Sequence, residues 1–202
     1  MSVAGSNEPH ISWPWITPLV NFTHPTSVSK IIQHSRTDLL LTMNHPPELR
    51  RLDVNTKATK QDPRNNGAWQ ILYKFGDGVK SCPAMTRVDR WRYAIITSED
   101  EMNTLGKTHK IELTLKKGKC SIWIVDLKRW ETGNGWVEAR KLVDAPYAGC
   151  LRGITTLPLP SYAIPYSSLN PGGLDRLPHL LVSDATQGRI YIFDAHTGHG
   201  TV

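Results

Sequence analysis

The chain has 202 residues, 39% of them hydrophobic, a formal net charge of +6, 14 Pro and 15 Gly, and its mean hydropathy is −0.36. That length can bury a sizeable core, and turn residues at this density favour short strands over long helices. The basic balance comes from dispersed cations (Arg50 and Arg51, Lys107 and Lys110, Lys116, Lys117 and Lys119, Lys128 and Arg129). No helix-turn-helix, zinc-finger or RNA-recognition signature accompanies them, so nucleic acid is not an implied partner. No apolar run approaches the ~20 residues of a membrane span, and Cys82, Cys120 and Cys150, odd in number and without a CxxC, argue against a disulfide framework or a structural zinc site. The first 22 residues lack a basic segment followed by an apolar one, so no secretory signal is expected and a cytoplasmic location is the default.

In chain order, residues 1–18 read as an irregular leader in which Trp13 and Trp15 flank Pro14. Residues 19–22 (LVNF) and 28–32 are short apolar segments. Residues 38–53 (DLLLTMNHPPELRRLD) read as a strand, a turn of four or five residues, and a second strand ending in Asp53. Residues 69–77 (WQILYKFGD) start a further strand, 84–88 another, and 93–97 (YAIIT) with 121–126 (SIWIVD) form a second hairpin ending in Asp126, interrupted by an insertion at about 99–119. Residues 136–144 (WVEARKLVD) match 69–77 position for position, and 153–157 follow as 84–88 follow their predecessor. A Pro-, Gly- and Ser-rich insertion at about 158–178 then intervenes, resembling retained intron sequence. Residues 179–194 (HLLVSDATQGRIYIFD) align without a gap on 38–53.

The β-branched and aromatic enrichment with regular turn punctuation makes these strands. Their order (outer strand, inner strand, hairpin) repeats about three times. Repetition of a four-stranded unit is the pattern of a propeller blade, whose sheet buries both faces only when neighbours stack on it. The predicted fold is therefore all-β: an incomplete β-propeller of the six-bladed type, about three blades of four antiparallel strands, occupying 19–202. Residues 196–199 (HTGH) have metal-compatible spacing, but their Gly-rich setting predicts a disordered tail. Trp69, Trp123 and Trp136 are expected to pack between blades, and residues 184–188 (DATQG) to form a hairpin turn.

The segments LLLT…PELRRLDV, GCLRGITTLP (149–158) and LLVSDATQGRIYIFD (180–194) resemble the fungal branch of the six-bladed gluconolactonase/senescence-marker-like propellers. That branch includes hetero-Diels–Alderases of natural-product biosynthesis. The resemblance implies an enzyme that joins a polyketide-derived quinone methide to a sesquiterpene, with these small-molecule intermediates as its only implied partners. Metal-dependent lactonases of the superfamily hold a divalent cation with Glu, Asn and Asp. The corresponding positions here are Ser29, with Lys30 beside it, Arg152 and Asp184. Two of three oxygen ligands are thus replaced, one by a cation, which disfavours metal-dependent hydrolysis; no metal and no cofactor are implied.

A pericyclic cyclase needs an apolar pocket on the propeller axis and one or two hydrogen-bond donors at the acceptor carbonyl. Arg152 is the candidate donor, Asp184 its orienting partner through a bidentate pair, and Met85, Thr86 and Ser29 are the candidate lining. A structural Arg152–Asp184 pair that plugs the channel, and packing roles for Met85 and Thr86, are the competing readings. At the level of function the alternatives are a lactone hydrolase-like propeller and a non-catalytic, degenerate propeller scaffold.

Overall fold

The computed structural model describes residues 27–55, 69–76, 78–99, 118–157 and 178–201. The leader, the 19–22 segment and nearly all of both insertions lie outside the described residues. Three four-stranded sheets account for the strands. Sheet 1 is β1 (Val28–Gln33), β2 (Asp38–Met43), β3 (Glu48–Asp53) and β4 (Trp69–Lys74). Sheet 2 is β5 (Ser81–Arg87), β6 (Arg92–Ser98), β7 (Cys120–Asp126) and β8 (Glu138–Asp144). Sheet 3 is β9 (Leu151–Leu157), β10 (His179–Asp184), β11 (Arg189–Asp194) and the short β12 (Gly200–Thr201). Within each sheet the strands pair antiparallel in chain order.

The two aligned sequence segments occupy the same place in their sheets. Asp38 lies opposite Asp53 and Met43 opposite Glu48; His179 lies opposite Asp194 and Asp184 opposite Arg189. The Asp that closes each hairpin has a local reason to recur. Asp53 Oδ1 accepts the backbone N–H of Asn55 at 2.9 Å, Asp126 Oδ1 that of Lys128 at 2.8 Å, and Asp194 Oδ1 that of His196 at 2.9 Å. In all three sheets a side-chain oxygen thus turns the chain as it leaves the third strand, the characteristic use of Asp at turns.

Packing follows from the alternation of side chains along each strand. On β6, Tyr93 and Ile95 join Leu40, Leu49, Phe75, Met85 and Val125 in a core between sheets 1 and 2. Ala94 and Ile96 join Ile122, Ile124, Leu151, Leu180, Val182 and Phe193 in a core between sheets 2 and 3. Sheet 2 is therefore buried on both faces, which explains why 93–97 and 121–126 read as nearly continuous apolar runs. On sheet 1, Leu41, Met43 and Leu52 cluster on the face away from sheet 2. The corresponding face of sheet 3 leaves Ile190 62%, Leu157 42% and Ile192 37% exposed.

Two expectations are corrected. Residues 196–199 are not a disordered tail: Asp194 accepts the N–H groups of His196 and Thr197 and the Thr197 hydroxyl, and Gly198 N–H donates to Asp194 O. Gly198 sits at φ 76°, where a Cβ would stand 2.6 Å from Leu142 O, so glycine is required for this turn to reach β8. The turn delivers β12, which pairs with Ile192 and Phe193 as the fourth strand of sheet 3. Trp136, expected between sheets, precedes β8 and is 44% exposed, with the Arg129 guanidinium 4.5 Å above its ring. Trp123 does pack between sheets 1 and 2, edge-on to Phe75 at 5.7 Å. Among the described residues no helix is long and apolar enough to cross a membrane.

Candidate functional site

The first strands of the three sheets lie side by side and bound a cleft of about 650 Å³. Lys30, Ile31 and Ile32 come from β1, Met85, Thr86 and Arg87 from β5 with Val88 and Asp89 beyond it, and Ile154, Thr155 and Thr156 from β9. Five apolar and six polar side chains converge there from three sheets, a mixed lining that offers a small molecule both kinds of contact. Of the residues singled out in the sequence, Met85 and Thr86 line this cleft; Met85, 1% exposed, belongs at the same time to the core between sheets 1 and 2.

Arg87 is the most constrained group there. Its Nε and Nη2 donate to Tyr93 Oη at 3.0 and 2.8 Å, and Nη2 also donates to His34 O. Tyr93 is fully buried; with two guanidinium donors on its oxygen, its own hydrogen goes to His34 Nδ1, 2.5 Å away. That leaves the His34 proton on Nε2, which donates to Glu131 Oε1. Burial pushes the Tyr93 hydroxyl above its ordinary range, and the Arg87 hydrogen bond and charge offset that only in part, so the phenol stays protonated and able to donate. The chain Glu131–His34–Tyr93–Arg87 joins the β1–β2 turn of sheet 1 to sheet 2 and fixes the guanidinium at the cleft. Arg87 Nη1 makes no hydrogen bond within the described protein.

The expected Arg152–Asp184 pair does not form. Arg152 is exposed on β9, outside the cleft lining, and its Nε donates to Cys150 Sγ at 3.3 Å. Asp184, 2% exposed, accepts four backbone N–H groups: Gly149 on Oδ2 at 2.7 Å, and Cys150, Thr186 and Gln187 on Oδ1 at 2.9–3.1 Å. Burial alone would raise its pKa, but these bonds to the charged form outweigh it and hold the carboxyl below the usual range. Asp184 therefore ties the β10–β11 turn to the segment entering β9 and forms no ion pair with Arg152. Ser29 lies in the bulge between Val28 and Lys30, outside the cleft lining; its hydroxyl is buried without a hydrogen-bond partner among the described residues, as are those of Ser27 and Thr42.

Ser29, Arg152 and a carboxylate committed to backbone amides do not make the donor set of a divalent cation. The residues that sequence reading missed are Arg87, Tyr93, His34 and Glu131. The signal for Arg87 was a cation ending an otherwise apolar inner strand; nothing in the sequence links His34 or Glu131 to it. No family model matches the chain, and no curated protein matches it.

Proposed function

We propose that the three sheets are consecutive blades of a six-bladed-type β-propeller, and that the cleft between their first strands is its axial pocket. There the chain brings about a hetero-Diels–Alder cyclisation of a polyketide-derived quinone methide with a sesquiterpene alkene. The observation that carries this reading is the convergence of β1, β5 and β9 on one cleft that combines apolar side chains with a pre-positioned guanidinium. The cycloaddition forms a C–C bond from the methide carbon and a C–O bond from the carbonyl oxygen to the two alkene carbons. Two carbon–carbon π bonds and the carbonyl π bond are replaced by these σ bonds and one new π bond, with no proton, electron or leaving group exchanged.

Such a reaction asks the protein for orientation and for stabilisation of negative charge developing on the carbonyl oxygen. Ile31, Ile32 and Ile154 supply surface for the terpene, and Arg87 Nη1 is the donor for the oxygen, the role that sequence reading gave to Arg152. Because Tyr93 and His34 already hold the guanidinium, little reorganisation is needed at the moment of reaction.

The test supplies a quinone-methide precursor and humulene alcohol to the purified protein and measures the rate and enantiomeric excess of adduct. Enantioselective product above background is expected, and Arg87→Gln should lower its rate by about 10- to 100-fold, equivalent to ~1–3 kcal/mol. Racemic adduct at the uncatalysed rate would reject the cyclase and leave a binding scaffold.

A further inference from the structure

We infer that His34 is a proton-operated latch on Arg87: the neutral imidazole keeps the guanidinium on Tyr93, and the imidazolium releases it. The latch belongs to the protein alone and requires neither the cyclisation nor a ligand in the cleft. Donors and acceptors around Tyr93 Oη balance only while His34 is neutral. A phenol oxygen donates one hydrogen and accepts two. Both acceptor positions are taken, by Arg87 Nε at 3.0 Å and Nη2 at 2.8 Å. The phenol hydrogen goes to His34 Nδ1 at 2.5 Å, so the single proton of the neutral ring sits on Nε2, facing Glu131.

A second proton has only Nδ1 to bind. There it places a third donor on an oxygen with two acceptor positions, deprives the phenol hydrogen of its acceptor, and sets an imidazolium N–H 3.4 Å from Arg87 Nη2. One group must yield. Tyr93 is fully buried in the core between sheets 1 and 2, and the His34 side chain is 4% exposed and engaged by Glu131. Arg87, exposed and carrying the same charge as the imidazolium, is the group with room to leave. The charged groups around the ring divide. Glu131, on the helical turn Trp130–Asn134, faces Nε2 and favours the imidazolium, whereas Arg87 of β5 faces Nδ1 and opposes it. Tyr93 of β6 stays neutral, since burial raises its pKa. Asp89 is held by Arg92; beside the ring's own turn Asp38 is paired with Arg51, and Arg36 is exposed. Histidine suits such a latch because its charge ordinarily changes between about pH 5 and 8.

The experiment follows the intact chain, labelled with ¹⁵N and ¹³C in arginine and histidine, by NMR from about pH 8 to about pH 5. The His34 ring nitrogens report tautomer and charge, and the rotation of the Arg87 guanidinium about its Nε–Cζ bond reports whether it is held. At the alkaline end the His34 proton should sit on Nε2 and Arg87 should rotate slowly. As His34 takes up its second proton, rotation should quicken by about tenfold, the effect of losing a charge-assisted hydrogen bond. His34→Gln, uncharged throughout, should rotate at one rate across the whole range. Glu131→Gln removes the carboxylate that favours the imidazolium and should move the transition to lower pH. Circular dichroism establishes that each variant is folded, and Glu131, at an exposed position, is the variant least able to disturb the core. Arg87 rotation that stays constant while His34 titrates would overturn the latch. So would a proton on Nδ1 at the alkaline end, a His34 still neutral at the acid end, or a pH response that survives His34→Gln.

Discussion

Sheets 2 and 3 are built from the same strand pattern but meet water differently. On β6 every residue from Tyr93 to Ser98 is buried, because sheets 1 and 3 cover both faces. On β11 burial alternates: Tyr191 and Phe193 face the core while Ile190 and Ile192 stand exposed. Exposed isoleucine at the two alternate positions means that sequence pattern reports what a strand can cover, whereas burial reports what is packed on it. The middle sheet owes its stability to two interfaces and the third to one.

Substitutions on the two sheets can break or sharpen this contrast. Ile122→Ala, in the core shared by sheets 2 and 3, should cost about 2–5 kcal/mol in urea unfolding, the usual range for emptying a packed aliphatic site. A loss below 1 kcal/mol there would contradict the two-sided burial. Asp184→Asn should follow at ~1.5–3 kcal/mol near neutrality, since it replaces charge-assisted bonds and turns an amide towards the Gly149 or Cys150 N–H. The same variant carries a pH signature. The folded pKa of Asp184 is depressed, so its contribution is complete above the ordinary value of 3.8 and is lost as pH falls through the folded value. The parent should therefore lose its advantage over Asp184→Asn in that acid window, and a pH-independent difference between them would remove the charge from the account.

Tyr93→Phe should cost about 1–2 kcal/mol by leaving His34 Nδ1 and two guanidinium donors without their shared partner. It should also slow the proposed cyclisation, because Arg87 loses its anchor. Ile190→Ser should change stability by less than ~0.5 kcal/mol, and a loss comparable to that of Ile122→Ala would mean that the exposed face of sheet 3 is covered in solution.

Much of the architecture was legible because repetition is a property of order along the chain. The two gapless hairpins and the Asp at each third-strand exit needed only short-range chemistry, and the structure places them in matching registers. The site was less legible because it depends on which distant side chains meet. Asp184 looked like a partner for Arg152, yet its neighbours are backbone N–H groups, which every residue type carries and no sequence pattern flags. His34 and Glu131 come together across 97 positions of chain. Met85 and Thr86 were found because they sit on an inner strand, and Arg87, next to them on that strand, was passed over. Trp136 misled because its match to Trp69 was taken to extend the strand, whereas β8 begins at Glu138.

The two cores share no sheet except the second: one joins sheets 1 and 2, the other sheets 2 and 3. Damage should therefore travel along the molecule by nearest neighbours. Loosening the third sheet need not disturb the first, but a lesion in β6 or β7 severs both couplings at once. Amide exchange would register this as a gradient, slowest in those two strands and fastest on β12, the outermost strand of sheet 3, so the middle of the chain holds the outer sheets in a common fate.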